Sequence, residues 1–329
     1  MTLFVPLLAV LVIFLLGYFG AQAGLGILLG VILPYIAFVL FLGGLIYRIL
    51  NWAKVPVPFR IPTTCGQEKS LPWIKNSPLE NPHNGIGVVG RMALEILFFR
   101  SLLRNTKSEI IDNKRVTYAS SPWLWLGAMV FHWSMLIIIV KHLRFFADPT
   151  PGFVTFLQDV DGFLQIGVPI YQVTTFLFIA ALAYLLVRRL IVPQLRYISL
   201  ATDYFPLFLL LSIGISGFWL RYVDKTDIVG VKELAIGLAT FSPVIPESVA
   251  PLFYAHLFMV SVLVAYLPFS KLAHMPGVFM SPTRNMANTN RIIHHTNPWD
   301  YPVKVHTYEE YEDEFRDKMK AAGIPVEKD

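Results

Sequence analysis

Long stretches without Asp, Glu, Lys or Arg alternate with short charged ones along this chain. The uncharged stretches lie between Met1 and Tyr47, Val116 and Val140, Gly162 and Val187, Tyr204 and Leu220, and Ser248 and Ser270. A helix rises ~1.5 Å per residue, so about 20 apolar residues cover a hydrocarbon core of ~30 Å. The first stretch is long enough for two spans and each of the others for one. The pattern predicts helices near Thr2 to Phe19, Gly24 to Tyr47, Pro122 to Phe146, Leu164 to Val187, Asp203 to Leu220 and Val249 to Ser270. The fold class is therefore an all-α integral membrane protein, a six-helix transmembrane bundle.

Between the second and third spans, Gly85 to Arg104 mixes Val88, Val89, Met92, Leu94, Ile96, Leu97 and Phe98 with Arg91, Glu95, Arg100 and Arg104, which predicts an interfacial helix. Prolines 56, 58, 62, 72, 78 and 82 forbid a long helix from Val55 to Pro82 and predict an extended loop, a place for a partner to dock. The chain divides into two N-terminal spans (1–47), a loop with its interfacial helix (48–121), a four-helix membrane unit (122–274) and a tail (275–329). It has no internal repeat and no low-complexity run.

Composition agrees: 55% of residues are hydrophobic, 15% are charged and the mean hydropathy is +0.57, against ~45–50% apolar residues in ordinary soluble domains. A pI near 9.2 could point to nucleic acid, but the basic residues sit between spans and in the tail, where they act as topology signals. Arg48 to Arg115 carries 11 Lys and Arg against 5 acids, and Arg188, Arg189 and Arg196 fill the turn after the fourth span. Both read as cytoplasmic. The stretches 141–161 and 221–247 together carry five basic and seven acidic residues and read as external. Both termini then lie in the cytoplasm and the chain sits in the cell membrane. Ala21-Gln22-Ala23 resembles a signal-peptidase site; cleavage there would leave five helices in the same orientation. Cys65 is the only cysteine, so this chain alone can build neither an internal disulfide nor a cysteine-ligated iron–sulfur cluster.

Coordinating side chains inside a membrane are costly and mark function. His132 and His142 share the third predicted helix, ten residues or ~15 Å apart and ~80° apart around it. His256 and His274 bracket the sixth, 18 residues apart, a whole number of turns. Two antiparallel helices that each offer an upper and a lower histidine suit a pair of stacked haems with axial ligands on both faces. Depth pairs His142 with His256 near the outer surface and His132 with His274 near the inner one. An 18-residue rise of ~27 Å exceeds 15 Å, so tilt or a kink at Pro268, with Met275-Pro276-Gly277 ending the helix, must absorb the difference. The bland alternative, isolated histidines satisfied within the bundle, weakens when two pairs match. His83, His294, His295 and His306 lie in loops or tail and read as solvated.

Gly127 and Ala128, Ser212, Gly214, Ser216 and Gly217, and Ala255 are small enough to admit a ring, although small residues also serve helix packing. Trp123, Trp125, Phe131, Trp133, Phe253 and Tyr254 could flank it or form the interfacial belt. Lys141, Arg144, Arg221 and Lys271 are candidates for haem propionates, or ordinary helix-end anchors. Lys141, Asp159 and Asp161 are candidates for a quinone site.

The two histidine spacings resemble those of the gamma subunit of respiratory nitrate reductase, whose helical core would map onto the second to sixth helices. The extra first helix, the long loop and the tail depart from it, so nitrate reduction does not carry over. Pro58-Phe-Arg-Ile-Pro-Thr-Thr, Gly87-Val-Val-Gly-Arg-Met-Ala-Leu-Glu, Arg196-Tyr-Ile-Ser-Leu, Asp203-Tyr-Phe-Pro-Leu-Phe and His274-Met-Pro-Gly-Val-Phe-Met-Ser-Pro-Thr-Arg-Asn are similar to the DsrM family, the dihaem membrane subunits of the Dsr complex of dissimilatory sulfur metabolism. This resemblance implies two haem b groups on His132, His142, His256 and His274, and menaquinone as the lipid carrier. It also implies a cytoplasmic iron–sulfur partner similar to heterodisulfide reductase (DsrK-like), often with a multihaem cytochrome c, a ferredoxin-like subunit and a second membrane subunit.

The expectation is the quinone-reacting electron-transfer subunit of a multi-subunit oxidoreductase. A transporter or channel with a histidine proton relay is the rival from another class, and it fits poorly with uncharged spans that lack carboxylates. A redox-inactive anchor is a second rival.

Overall fold

A computed structural model describes residues 2–55, 69, 71–104, 107–112, 114–289, 302 and 305–328. Among the described residues six helices are long and apolar enough to cross a membrane, as the uncharged stretches predict: Phe4–Gln22, Leu28–Ala53, Pro122–Phe145, Val173–Ile191, Ala201–Tyr222 and Pro251–Phe269. The protein is a multi-pass helical membrane protein. Half of the proline-rich loop, including the Pro58 to Thr64 motif and Cys65, lies outside the described residues, as do His294 and His295.

In chain order, the first span is α1 (Phe4–Gln22). The second opens with a π-helical turn, Leu28–Ile32, and continues as α2 (Leu33–Ala53). The predicted interfacial segment forms α3 (Gly85–Phe98) and α4 (Arg100–Leu103). Asn84 caps α3 by accepting the Gly87 N–H at 2.8 Å, as a short polar side chain at that position does. Phe99 separates α3 from α4 with a left-handed backbone (φ 48°).

An antiparallel hairpin follows, β1 (Lys107–Ile111) and β2 (Arg115–Ala119), with Glu109 opposite Thr117. The third span is α5 (Pro122–His142), extended by a 3₁₀ turn to Phe145. Its proline at the first position costs no hydrogen bond. Next come α6 (Gly152–Asp161), a second small hairpin of β3 (Gly162–Leu164) and β4 (Tyr171–Gln172), and α7 (Val173–Ile191).

The fourth span thus begins nine residues after the predicted Leu164. Leu164 to Gln172 is uncharged, but Gly167 takes φ 78° and Pro169 has no N–H to donate, so the segment turns instead of winding. The remaining elements are α8 (Pro193–Ile198), α9 (Ala201–Tyr222), α10 (Ile228–Ala239), α11 (Pro251–Tyr266), α12 (His274–Gly277), α13 (Pro282–Asn285) and α14 (Tyr308–Ala321).

Side chains of lipid-facing type, such as Phe38, Val39, Leu136 and Ile139, are exposed, because lipid replaces a protein core around the bundle. Inside it, α5 packs on α7, α7 on α9, α9 on both α1 and α11, and α11 on α1 and α2. Phe178, Leu182 and Leu210 fill the α5–α7–α9 seam, with Phe131, Met135 and Ile138 packed against them. Val10, Leu209 and Met259 fill the α1–α9–α11 seam. Among the described residues α5 and α11 are not a closely packed pair. The two histidine-bearing helices stand apart, and histidines project from each.

Candidate functional site

Each of the four histidines has one ring nitrogen taken up. Nδ1 of His132 lies 2.7 Å from the Ala128 carbonyl and Nδ1 of His142 2.7 Å from that of Ile138, each one turn back on its own helix. Nδ1 of His274 lies 3.0 Å from the Lys271 carbonyl. Carbonyls only accept, so Nδ1 carries the proton in all three and Nε2 is left with a bare lone pair. Nδ1 of His256 meets Ser216 Oγ at 2.8 Å. Among the described residues no hydrogen bond engages Nε2 of any of the four.

His132 and His274 come together with ring centroids 6.0 Å apart and planes at 80°. Two imidazoles that bind one metal through Nε2 at ~2.0–2.1 Å each place their centroids roughly 6 Å apart. The electrostatic neighbour of His256 is His142, and that of His132 is His274.

His274 reaches His132 because the sixth span stops short. After Tyr266 the chain tightens into a 3₁₀ turn over Leu267–Phe269, becomes extended at Ser270 (ψ 178°), and turns again over Lys271–Ala273. The 18-residue separation therefore does not rise as one straight helix. Arg48 of α2 holds the break: Nη1 donates to the Pro268 carbonyl at 2.6 Å and lies 3.3 Å from that of Ser270. Gly44, one turn earlier, lets Pro268 and Phe269 press against α2, where a β-carbon would meet Phe269 Cζ at 2.8 Å.

The small residues divide by role. A β-carbon at Gly127 would meet Tyr184 at 2.6 Å, and one at Gly214 would meet Phe178 at 2.9 Å, so both serve helix packing. One at Gly217 would stand 3.3 Å from Cε1 of His256. The aromatics divide likewise. Phe131 lies edge-on to His132 (4.7 Å) and beside Phe178 (5.8 Å). The indoles of Trp125 and Trp133 donate to the Phe98 and Leu97 carbonyls, at 2.7 and 3.1 Å. They satisfy the open C-terminus of α3 and tie it to α5. Trp123 is exposed, and Phe253 and Tyr254 stack edge-on at 5.6 Å.

The cations also differ. Lys141 is buried and its ammonium is fully engaged by Asp161, by Gln172 Oε1 at 2.8 Å and by Thr174 Oγ1 at 2.9 Å. Lys271 pairs with Asp203 at 2.6 Å. Arg144 and Arg221 have no carboxylate partner among the described residues, and the buried Nε of Arg221 has no acceptor. Both charges act on His142.

Asp161 also accepts the Thr174 N–H at 2.9 Å. Burial raises its proton affinity, but hydrogen bonds from Lys141 and Thr174 and the Lys141 charge more than offset this, leaving its carboxyl below the usual range. Asp159 is exposed on α6. His83 lies 3.2 Å from Asn76 and His306 3.7 Å from Glu310, both away from His132, His142, His256 and His274 in sequence.

The contacts of three residues had no signal in one dimension. Ser216 reaches His256 from another helix. Arg48 looked like an ordinary cytoplasmic anchor. Phe99 lies within the predicted interfacial stretch, and its ring stands 4.9 Å from that of His132.

These donors fit haem. Among the described residues no three His, Cys, Asp or Glu side chains converge, whereas histidines in twos suit a metal whose in-plane positions are filled by a macrocycle. The bare Nε2 atoms and the unpaired arginines suit an anionic group with open coordination positions. A helical membrane bundle of this kind is the class the fold and site define, and the chain belongs to the nitrate reductase gamma subunit family, which residues 91–294 match.

Two relatives are more similar still. The chain is 45% identical over 283 residues to the Hdr-like menaquinol oxidoreductase cytochrome b-like subunit of Archaeoglobus fulgidus, covering 84% of each chain. To the protein of the same description from Archaeoglobus profundus it is 41% identical over 276 residues, covering 82% of this chain and 81% of that one.

Proposed function

We propose that this protein is a dihaem membrane cytochrome b of the DsrM type. It moves electrons between menaquinol and a cytoplasmic, heterodisulfide-reductase-like iron–sulfur subunit in dissimilatory sulfur metabolism. The observation that carries the proposal is the set of four histidines with Nδ1 taken up and Nε2 free, of which His132 and His274 bring their ring centroids within 6.0 Å. The printed names of the Archaeoglobus relatives supply the quinol and the Hdr-like partner, and the DsrM-like motifs supply the sulfur setting.

Bound haem would supply one-electron redox chemistry at each level, with His142 and His256 as ligands of one group and His132 and His274 as ligands of the other. Arg144 and Arg221 would neutralise propionates beside His142. Lys271, already bonded to Asp203, remains a weaker candidate at the other end. With the charge distribution as support, both termini and the His274 end would face the cytoplasm.

Quinol would be handled where an apolar crease of about 270 Å³ between α5 and α7, lined by Met129, Trp133, Ile137 and Leu177, ends on Thr174. Thr174 is hydrogen-bonded to both Lys141 and Asp161, so a head group there would exchange for one of these bonds while the apolar crease took the isoprenoid tail. Asp159, exposed nearby on α6, would exchange protons with water. Oxidation of quinol at this outer end would make turnover electrogenic.

The test is a dithionite-reduced minus oxidised spectrum of the purified chain, with haem b quantified as the pyridine haemochrome. About two haems per chain are expected. A colourless, folded protein would overturn the cytochrome and favour the histidine relay. Vesicles that build no potential during quinol oxidation would remove the electrogenic part alone.

A further inference from the structure

His256 differs from its three counterparts in what holds it. His132, His142 and His274 are fixed by peptide carbonyls three or four residues back, which no side-chain substitution removes. His256 is fixed from across the helix interface by Ser216 of α9, a side chain that is 5% exposed. The hydroxyl's own proton has an acceptor in the Ile213 carbonyl at 3.1 Å. With its one proton used there, Oγ is left to accept from Nδ1–H. Gly217, the next residue, keeps the space beside the ring open.

We propose that Ser216 is a positioning residue that holds His256 with Nδ1 protonated and Nε2 bare. On the haem reading above, it thereby sets the reduction potential of the group bound by His142 and His256 independently of the other. An acceptor on Nδ1–H raises the basicity of the ligating nitrogen and favours ferric iron. Removing it favours the ferrous state.

The experiment is a potentiometric titration of the purified full-length chain, followed by haem absorption, for the wild type, Ser216→Ala and Ser216→Thr. The wild type must first show haem, since its absence would sink the haem reading rather than the role of Ser216. Expected is a Ser216→Ala protein with one midpoint raised, the reduction equilibrium shifted about tenfold or ~59 mV for one electron, the second midpoint unchanged, and Ser216→Thr restored toward wild type. Loss of one haem from Ser216→Ala but not from Ser216→Thr would also support the proposal, because only the hydroxyl separates them. Two unchanged midpoints at full haem content would overturn it. So would equal loss of haem from both variants, which would make Ser216 a packing residue.

Discussion

The ring of Phe99 stands edge-on to that of His132, centroids 4.9 Å apart and planes at 75°, and Phe99 holds this position with a left-handed backbone, φ 48° and ψ 46°. That conformation costs a non-glycine residue ~1–2 kcal/mol, and an aromatic contact returns about 0.5–1.5 kcal/mol. Phe99→Ala keeps the strain and loses the contact, whereas Phe99→Gly loses both. Thermal unfolding should rank Phe99→Gly above Phe99→Ala by about 1 kcal/mol. Both variants should alter the spectrum of the haem assigned to His132 and spare the other.

Gly217 leaves room for His256. A valine there would press its β-carbon to 3.3 Å from Cε1 and add two methyls beyond it. Gly217→Val should lower haem content from about two to about one per chain. Gly85→Ala, where a β-carbon meets nothing within 4 Å, should leave content unchanged in the same assay.

Arg48 holds the break that brings His274 to His132. Arg48→Ala leaves the carbonyls of Pro268 and Ser270 without this donor, which should cost about 1–3 kcal/mol for a buried acceptor left unpaired. Low-spin ferric signals should show loss of one bis-histidine haem, that of His132 and His274, with the other retained.

Lys141 and Asp161 form a buried ion pair. Asp161→Asn should destabilise the protein by about 3–5 kcal/mol, since it strands a buried ammonium. The double variant Lys141→Met, Asp161→Leu should recover much of this in the same chemical-unfolding assay. A stable double variant that no longer oxidises menaquinol would place the pair in the quinone site. One that retains full turnover would limit it to structure.

The same carboxylate sets an acid limit. Its folded pKa is depressed, so its contribution is fully present above the unfolded value near ~3.9 and is lost as pH falls below that toward the folded value. Stability measured from about pH 6 down to 3 should fall less steeply in the double variant than in the wild type.

The six spans were legible because entry into lipid depends on the length of uncharged sequence, which is a one-dimensional property. The histidine spacings were legible for the same reason: 10 and 18 are helical arithmetic. Where the helix stops is less so. Leu164 to Gln172 satisfies a hydropathy rule and still turns, because Gly167 and Pro169 constrain the backbone. The stretch from His256 to His274 is not one straight helix, because the chain breaks at Ser270, a break that Pro268 hinted at and Arg48 secures. Lys141 and Asp161 were candidates separately. Their meeting 20 residues apart, like that of Ser216 and His256 40 apart, depends on how helices are placed side by side, which no spacing encodes.

Gly17 of α1 lies so close to α11 that a β-carbon on it would stand 2.8 Å from Cα of Ala255, the residue before His256. The α1 span therefore acts as a fence beside the backbone that carries His256. Exchanging it for another apolar helix of equal length would preserve insertion into the membrane and still change how far His256 can swing.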